Sequence, residues 1–425
     1  MKRVVTLLIC LSLVASICSC KAEIDYDDTP SFPDEKVEFP TSDVGKKDDA
    51  EGYPEPLAPD NQIDHRLYAM SQEEFDAYTA LYEENPDYKI AFYIYPLFSS
   101  GFWRLFNADM SRYPGRCVYM TYPEDYIMNR DPDAEDFIKA GLEMVEDNDV
   151  KVFVMYLASR GAEELLDRIK ECRPDILTIG LYSNQRISAV NADIVLQFDS
   201  IAMIKKMVEQ AHQMGVETLI HFWDLWTEAD SFDDFERAAL IGACIEFDIE
   251  FVDMETHEYS MWPRADVFWS VNKYGNNTCF YYPRGGDNTM FVYAIEAEYV
   301  FIQKGDYINV YATIPFFLGI EISDERFLDF DWIIAQITSK FNEYGASGRF
   351  AFTPAPFSMV SITAAIEYAM AYCSGIISDK VSPETVQMSF QRALRLYGFD
   401  DVGFELRQTE PDSNVFRYAT DYRVY

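Results

Sequence analysis

Lys151-Val-Phe-Val-Met-Tyr-Leu157 is a short apolar run of β-branched and aromatic residues. Such a run suits a strand buried on both faces. Ala158-Ser-Arg-Gly161 reads as a turn. A helical pattern follows, with Leu165, Leu166 and Ile169 on one side and Glu163, Arg168 and Glu171 on the other. Pro174 stops it, and Asp175-Ile-Leu-Thr-Ile-Gly-Leu181 reads as a second buried strand. Ala192-Asp-Ile-Val-Leu-Gln-Phe198 is a third. Strand, helix, strand at this spacing requires parallel pairing through a right-handed crossover. In such sheets ligands bind beyond the carboxyl ends of the strands. The residues after Leu157, Leu181 and Phe198 are therefore where function is sought.

The alternation extends in both directions. Upstream, Lys89-Ile-Ala-Phe-Tyr-Ile-Tyr95 and Cys117-Val-Tyr-Met-Thr121 read as strands, and Phe137, Ile138, Leu142 and Val145 form the apolar face of a helix. Downstream, Met203, Ile204, Met207, Val208 and Ala211 mark a helix that ends at Gly215. Val216-Glu-Thr-Leu-Ile-His-Phe222, Glu250-Phe-Val-Asp-Met254 and Asn277-Thr-Cys-Phe-Tyr-Tyr282 then predict a second parallel sheet. Helices are expected over 232–247, 289–301, 332–344, 359–373 and 383–397, with short strand-like pieces after them. The expected fold class is α/β, two Rossmann-like lobes with parallel sheets across an interlobe cleft. Closure of such lobes traps a small molecule between the carboxyl edges of both sheets.

The expected organisation is a signal peptide over 1–20 and an acidic, Pro-rich tether with a lead-in helix over 21–87. An N-terminal α/β lobe spans 88–200, and a C-terminal α/β lobe that crosses back to the first spans 201–378. A C-terminal extension occupies 379–425. Ser71-Gln-Glu-Glu74 has the form of a capping box at the start of the lead-in helix.

The chain of 425 residues carries a formal net charge of -37, with 49% hydrophobic residues. That apolar fraction suffices for sizeable cores. A surface so acidic repels nucleic acid and anionic headgroups. A regulator of this fold would also need a helix-turn-helix before the first strand, where this chain has an acidic tether. Lys2 and Arg3 precede an apolar stretch over 4–14 that is too short to span a membrane. Ile17-Cys-Ser-Cys20 resembles the lipobox of bacterial lipoproteins, which makes Cys20 the expected lipidated residue. Acylation at that position anchors the protein to a membrane, extracytoplasmically, in the cell envelope. The alternative is an ordinary cleaved signal. Cys117, Cys172, Cys244, Cys279 and Cys373 are odd in number and lack CxxC spacing, so buried free thiols are expected rather than a disulfide framework or a zinc site.

A resemblance adds to this reading. Thr121-Tyr-Pro-Glu-Asp125, Asp149-Val-Lys-Val-Phe153, Arg173-Pro-Asp-Ile176, Ala192-Asp-Ile-Val-Leu196 and Gln213-Met-Gly-Val216 resemble a bacterial lipoprotein family of unknown function. That family is itself similar to the type I periplasmic binding proteins. Lys273-Tyr-Gly275, Cys279-Phe280, Ile314-Pro315, Leu318-Gly-Ile320, Gly348-Arg-Phe350 and Pro354-Ala-Pro356 extend the likeness, which spans 88–378. Segments 222–232 and 254–264 depart from the family pattern and are expected to carry a different ligand choice. The resemblance implies the fold and no particular catalytic or ligand residues.

The candidate ligand residues follow strands: Phe98, Trp103, Tyr122, Arg160, Tyr182 and Asn184 in the first lobe, and Trp223, Glu255, Arg284 and Asn288 in the second. Aromatic rings offer flat apolar faces to a sugar or nucleobase, and Arg, Asn and Glu supply directional bonds to hydroxyls or carboxylates. The alternatives are edge packing for each ring and surface ion pairs for the arginines. Arg349 reads as a hinge or structural ion-pair residue. Asp253 and Glu255 share a strand face and give a weak glycosidase signal. His65, His212, His221 and His257 lack metal-ligand spacing, and His221 reads as a core or pocket hydrogen-bonder. No phosphate-cradling or nucleophile-elbow motif occurs. The expected function is non-enzymatic capture of a small polar solute for an ABC transporter or sensor, without cofactor or metal. The runners-up are a carbohydrate-active hydrolase and an envelope interaction protein.

Overall fold

The computed structural model describes residues 65–83, 87–94, 100–123, 134–156, 161–182, 191–223, 231–255, 264–281, 287–303, 313–323, 325–355, 357–408 and 413–425. Two sheets organise them. The first is built from β1 (65–67), β2 (89–94), β3 (117–121), β4 (150–156), β5 (177–182), β6 (194–198), β12 (404–408) and β13 (415–420), in the order β1-β12-β13-β6-β5-β4-β2-β3. β13 and β2 to β6 run parallel, while β12 and β1 are added antiparallel at one edge. In the second, β7 (218–223), β8 (250–255) and β9 (278–281) pair in the order β8-β7-β9, and β10 (301–302), β11 (350–352) and β14 (423–424) in the order β10-β11-β14. A parallel bridge between Cys279 and Val300 joins the two groups of strands. Each lobe thus repeats one pattern, β3-β2-β4-β5-β6 and β8-β7-β9-β10-β11.

The physical origin is local. On β4, Val152, Phe153, Val154 and Met155 are all fully buried, as a strand covered by helices on both faces must be. The helix after it, α4 (162–172), buries Leu165, Leu166 and Ile169. Gly161 opens that helix at φ 84, and a Cβ there would stand 2.9 Å from the Cβ of Ala134, so both conformation and space demand glycine. α5 (200–213) starts at Asp199, whose carboxylate accepts from the Ala202 N–H at 3.0 Å. It ends just before Gly215 at φ 80. The lead-in helix α1 (72–83) carries the capping box, with the Ser71 N–H donating to Glu74 Oε2 at 3.2 Å and the Glu74 N–H to Ser71 Oγ at 3.3 Å. The remaining helices are α2 (100–112), α3 (134–145), α6 (231–246), α7 (264–274), α8 (287–297), α9 (313–317), α10 (330–343), α11 (357–373) and α12 (383–396).

Three segments link the sheets. The first runs from β6 into α5, which packs Ile204, Met207, Val208 and Ala211 with Leu219, Ile302 and Ala351 of the second sheet. The second runs from β11 into α11, which packs back on β4, β5 and β6. The third runs from β13 to β14. The C-terminal strands therefore complete both sheets.

One helix expectation changes. The run 289–301 was read as helical throughout, but α8 ends at Ala297, Glu298 takes φ 61, and Phe301–Ile302 form a strand. Tyr299-Val-Phe-Ile302 continues an apolar pattern, and periodicity cannot separate a buried strand from a buried helix over so few residues.

The first lobe holds a fully buried ion pair. Arg392 on α12 bonds Glu367 on α11, and neither side chain is exposed. Arg392 also donates to the Phe75 carbonyl at 2.7 Å and to Thr79 Oγ1 at 3.1 Å, with its guanidinium 4.1 Å from the Phe75 ring centroid. Tyr113 donates to the other Glu367 oxygen. α1 thus closes a charged site that would otherwise be unsatisfied. The second lobe has an aromatic core instead, with Phe341 stacked on Phe350 at 4.4 Å and Phe352 against Tyr425 at 5.5 Å.

Candidate functional site

Three of the expected residues end strands at the carboxyl edges of the two sheets. Tyr182 closes β5, Trp223 closes β7 and Glu255 closes β8. Trp223 and Glu255 are register partners on adjacent parallel strands, so the structure brings these two backbones side by side. Asn288 lies in the first turn of α8 and Trp103 in the first turn of α2. Phe98, Arg160, Asn184 and Arg284 lie outside the described residues, as does Cys20.

Two of the expected rings are already engaged. Tyr122 is 2% exposed, and its ring packs on Tyr93 at 4.6 Å and edge-on to Phe137 at 4.9 Å. Its ring faces are covered by that packing. Half-buried Trp103 meets Phe106 at 5.7 Å and Tyr119 of β3 at 5.9 Å, an aromatic trio at the edge of the first sheet. Arg349 donates to the Gly345 carbonyl at 3.3 Å. Cys172 is exposed and Cys117 and Cys373 are half-buried, in contrast to the expectation of buried thiols, while Cys244 and Cys279 are buried. Burial pushes Cys244 and Cys279 up to about 12.

One row below Trp223 and Glu255 lies a polar network. His221, Asp253 and Tyr281 are cross-strand neighbours on β7, β8 and β9. His221 Nδ1 sits 2.8 Å from Asp253 Oδ1, and Arg237 Nε on α6 donates to Asp253 Oδ2 at 2.7 Å. The Tyr281 hydroxyl donates to Glu236 Oε2 at 2.5 Å. His221 is 4% exposed and lies over Phe251 at 6.1 Å. Burial alone would raise the Asp253 carboxyl, but the bond to His221 and the Arg237 charge outweigh it and hold it below its ordinary value. An ionised carboxylate clamped by two partners is poorly suited to donate a proton, which weakens the hydrolase reading of Asp253. Sequence reading singled out His221 and Asp253 but missed Arg237 and Glu236. Their signal was the charged first half of α6, Asp233-Asp-Phe-Glu-Arg237, on a helix that must pack on a sheet.

Among the described residues, no group of three or more His, Cys, Asp or Glu is placed to hold a metal ion. Among them also, no helix is long and apolar enough to cross a membrane.

A doubled five-strand order joined by three crossovers defines a two-lobed α/β fold. The chain belongs to the DUF3798 family, described as proteins of unknown function, whose model matches residues 104–351. A solved structure from Clostridium difficile, described as a transcriptional regulator, shares the fold with a TM-score of 0.66 at 18% identity, over 80% of this chain and 100% of its own. A sugar ABC transport substrate-binding protein from Bordetella parapertussis aligns with a TM-score of 0.45 at 12% identity, over 80% of this chain and 88% of its own. A periplasmic ribose ABC transporter protein from Conexibacter woesei aligns with a TM-score of 0.43 at 12% identity, over 72% of this chain and 97% of its own. No curated protein matches the chain.

Proposed function

We propose that the protein is an extracytoplasmic, membrane-anchored solute-binding lipoprotein that captures a small polar ligand between its lobes without chemistry. The observation that carries this reading is the strand order. In the first sheet the order reverses between β2 and β4, and in the second between β7 and β9. Open α/β sheets bind ligands at such reversals. The chain leaving β2 and β4 holds Phe98 and Arg160; Trp223 closes β7, and the chain leaving β9 holds Arg284. Aromatic rings and guanidinium groups are side-chain types that suit a sugar, nucleoside or amino-acid-like solute. Acylation at Cys20 would hold the protein at the envelope, where an ABC transporter or sensor takes the solute over.

Thermal unfolding of the full chain against sugars, nucleosides and amino acids tests the reading. One class must raise the transition, by roughly 2.7 kcal/mol at a hundredfold excess over Kd. Trp223→Ala and Arg160→Ala must each reduce the shift. Failure of all three classes at millimolar concentration would sink the solute reading. Detergent partitioning of the wild type against Cys20→Ser tests the anchor separately.

A further inference from the structure

Five charged side chains gather at the third crossover. Lys206 Nζ on α5 lies 2.6 Å from Glu405 Oε1 and 3.0 Å from Asp421 Oδ1, with 13% of its side chain exposed. Arg66 on β1 pairs with Asp421 and stands 4.0 Å from Glu405 Oε1. Arg407 on β12 reaches Glu405 Oε2 at 3.2 Å. Gly403 leaves room for them, since a Cβ there would stand 2.7 Å from Arg66 NH2 and closer still to the Asp421 carboxylate.

The cluster stands at the junction of the two lobes, which also meet where Phe330 of α10 packs on Tyr397 and Phe399. α5 packs Ile204, Met207, Val208 and Ala211 into the core of the second lobe, while its Ala202 and Met203 meet Ala419 of β13. Arg66, Glu405 and Arg407 stand on strands of the first sheet. Asp421 is on the crossover itself. Backbone bonds here continue the first sheet: the Asp199 N–H donates to the Tyr418 carbonyl at 2.9 Å and the Asp421 N–H to the Gly403 carbonyl at 3.0 Å. The charges resist relative rotation of the lobes, because separating Lys206 from Glu405 leaves a half-buried carboxylate short of its main partner. Burial would raise the Glu405 carboxyl, yet Lys206 first, then Arg407 and Arg66, hold it below its ordinary value.

We propose that Lys206 is an interlobe latch, whose bridge to Glu405 and Asp421 holds the two lobes at the angle seen in this structure. Its loss releases them to rotate about the three crossovers. The latch needs no ligand and stands apart from the solute reading. A built-in control lies one residue away. Lys205 pairs with Glu246 of α6 at 2.9 Å, wholly within the second lobe.

Hydrogen exchange of the full chain, read by mass spectrometry without ligand, tests the latch. In Lys206→Met, the segments around 199, 353 and 421 should exchange about tenfold faster, while β4 and β5 keep wild-type protection. Lys206→Arg and Lys205→Met should leave all of these segments as in the wild type. Unchanged crossovers in Lys206→Met overturn the proposal. So does equal acceleration in Lys205→Met, or faster exchange spread evenly into β4 and β5. Should Lys206→Met fail to fold, Glu405→Gln must give the same confined pattern, and wild-type protection there overturns the latch as well.

Discussion

Arg392 shows how one residue can govern a whole junction. Its guanidinium is desolvated against Phe75 and Tyr82, and its charge is answered by Glu367. Removing one partner strands the other in the interior, at a cost of about 3–5 kcal/mol. Arg392→Met should therefore lower the urea midpoint sharply, and Arg392→Met with Glu367→Met together should recover part of the loss. A double variant no more stable than the single would refute the pairing. Asp253 carries a pH signature instead. Its folded pKa is depressed, so the stability it contributes is present above the ordinary Asp value of about 3.9 and is lost as pH falls through the folded value. Wild type should exceed Asp253→Asn in stability at pH 7, and the gap should narrow in unfolding curves taken on the acid side of about pH 4. The cysteines offer a third check. Exposed Cys172 should react with a thiol reagent in the native state, whereas Cys244 and Cys279 should react only on unfolding.

At the scale of elements, the caps are the most legible features of the sequence. Ser382 precedes Pro383 and accepts from the Thr385 N–H at 3.3 Å, so α12 begins where serine and proline say it should. Ser382→Ala should cost about 1 kcal/mol, measured by chemical denaturation. A loss below a tenth of that would show the cap to be idle. The same local rules located β4, α4, β5 and β6, because burial on both faces writes a continuous apolar run. They failed at Phe301–Ile302, where two residues become a strand only because Cys279 and Phe350 flank them in space. The candidate site divides the same way. Trp223 and Glu255 were each visible as strand-end residues, but their adjacency is a fact of register. Arg237 was missed, since the charged first half of its helix signals a charge facing the sheet but not the carboxylate it meets on β8. Tyr122 and Trp103 read as candidate ligand rings; Tyr93 and Phe137 on other elements pack on Tyr122, while Trp103 stays half-buried beside Phe106 and Tyr119.

On the scale of the molecule, the C-terminal strands are part of both lobes. β13 lies against β6, β12 joins β13 to β1, and β14 lies against β11. A chain ending at Ser378 would leave the edge of β6 open along Ile194–Phe198 and strip Glu367 of Arg392. Open apolar edges template association. Such a truncation should be insoluble or aggregate in size-exclusion chromatography, and a monomeric, cooperatively unfolding product would contradict this account of the topology. The alternation of strand and helix was determined by the sequence itself, because hydrophobic period is a property of neighbours along the chain. Which strands close each sheet, which charges meet at the crossover, and which rings, such as Tyr122, are packed away were decided by tertiary structure. Those depend on residues hundreds of positions apart sharing one edge, and no local pattern records that.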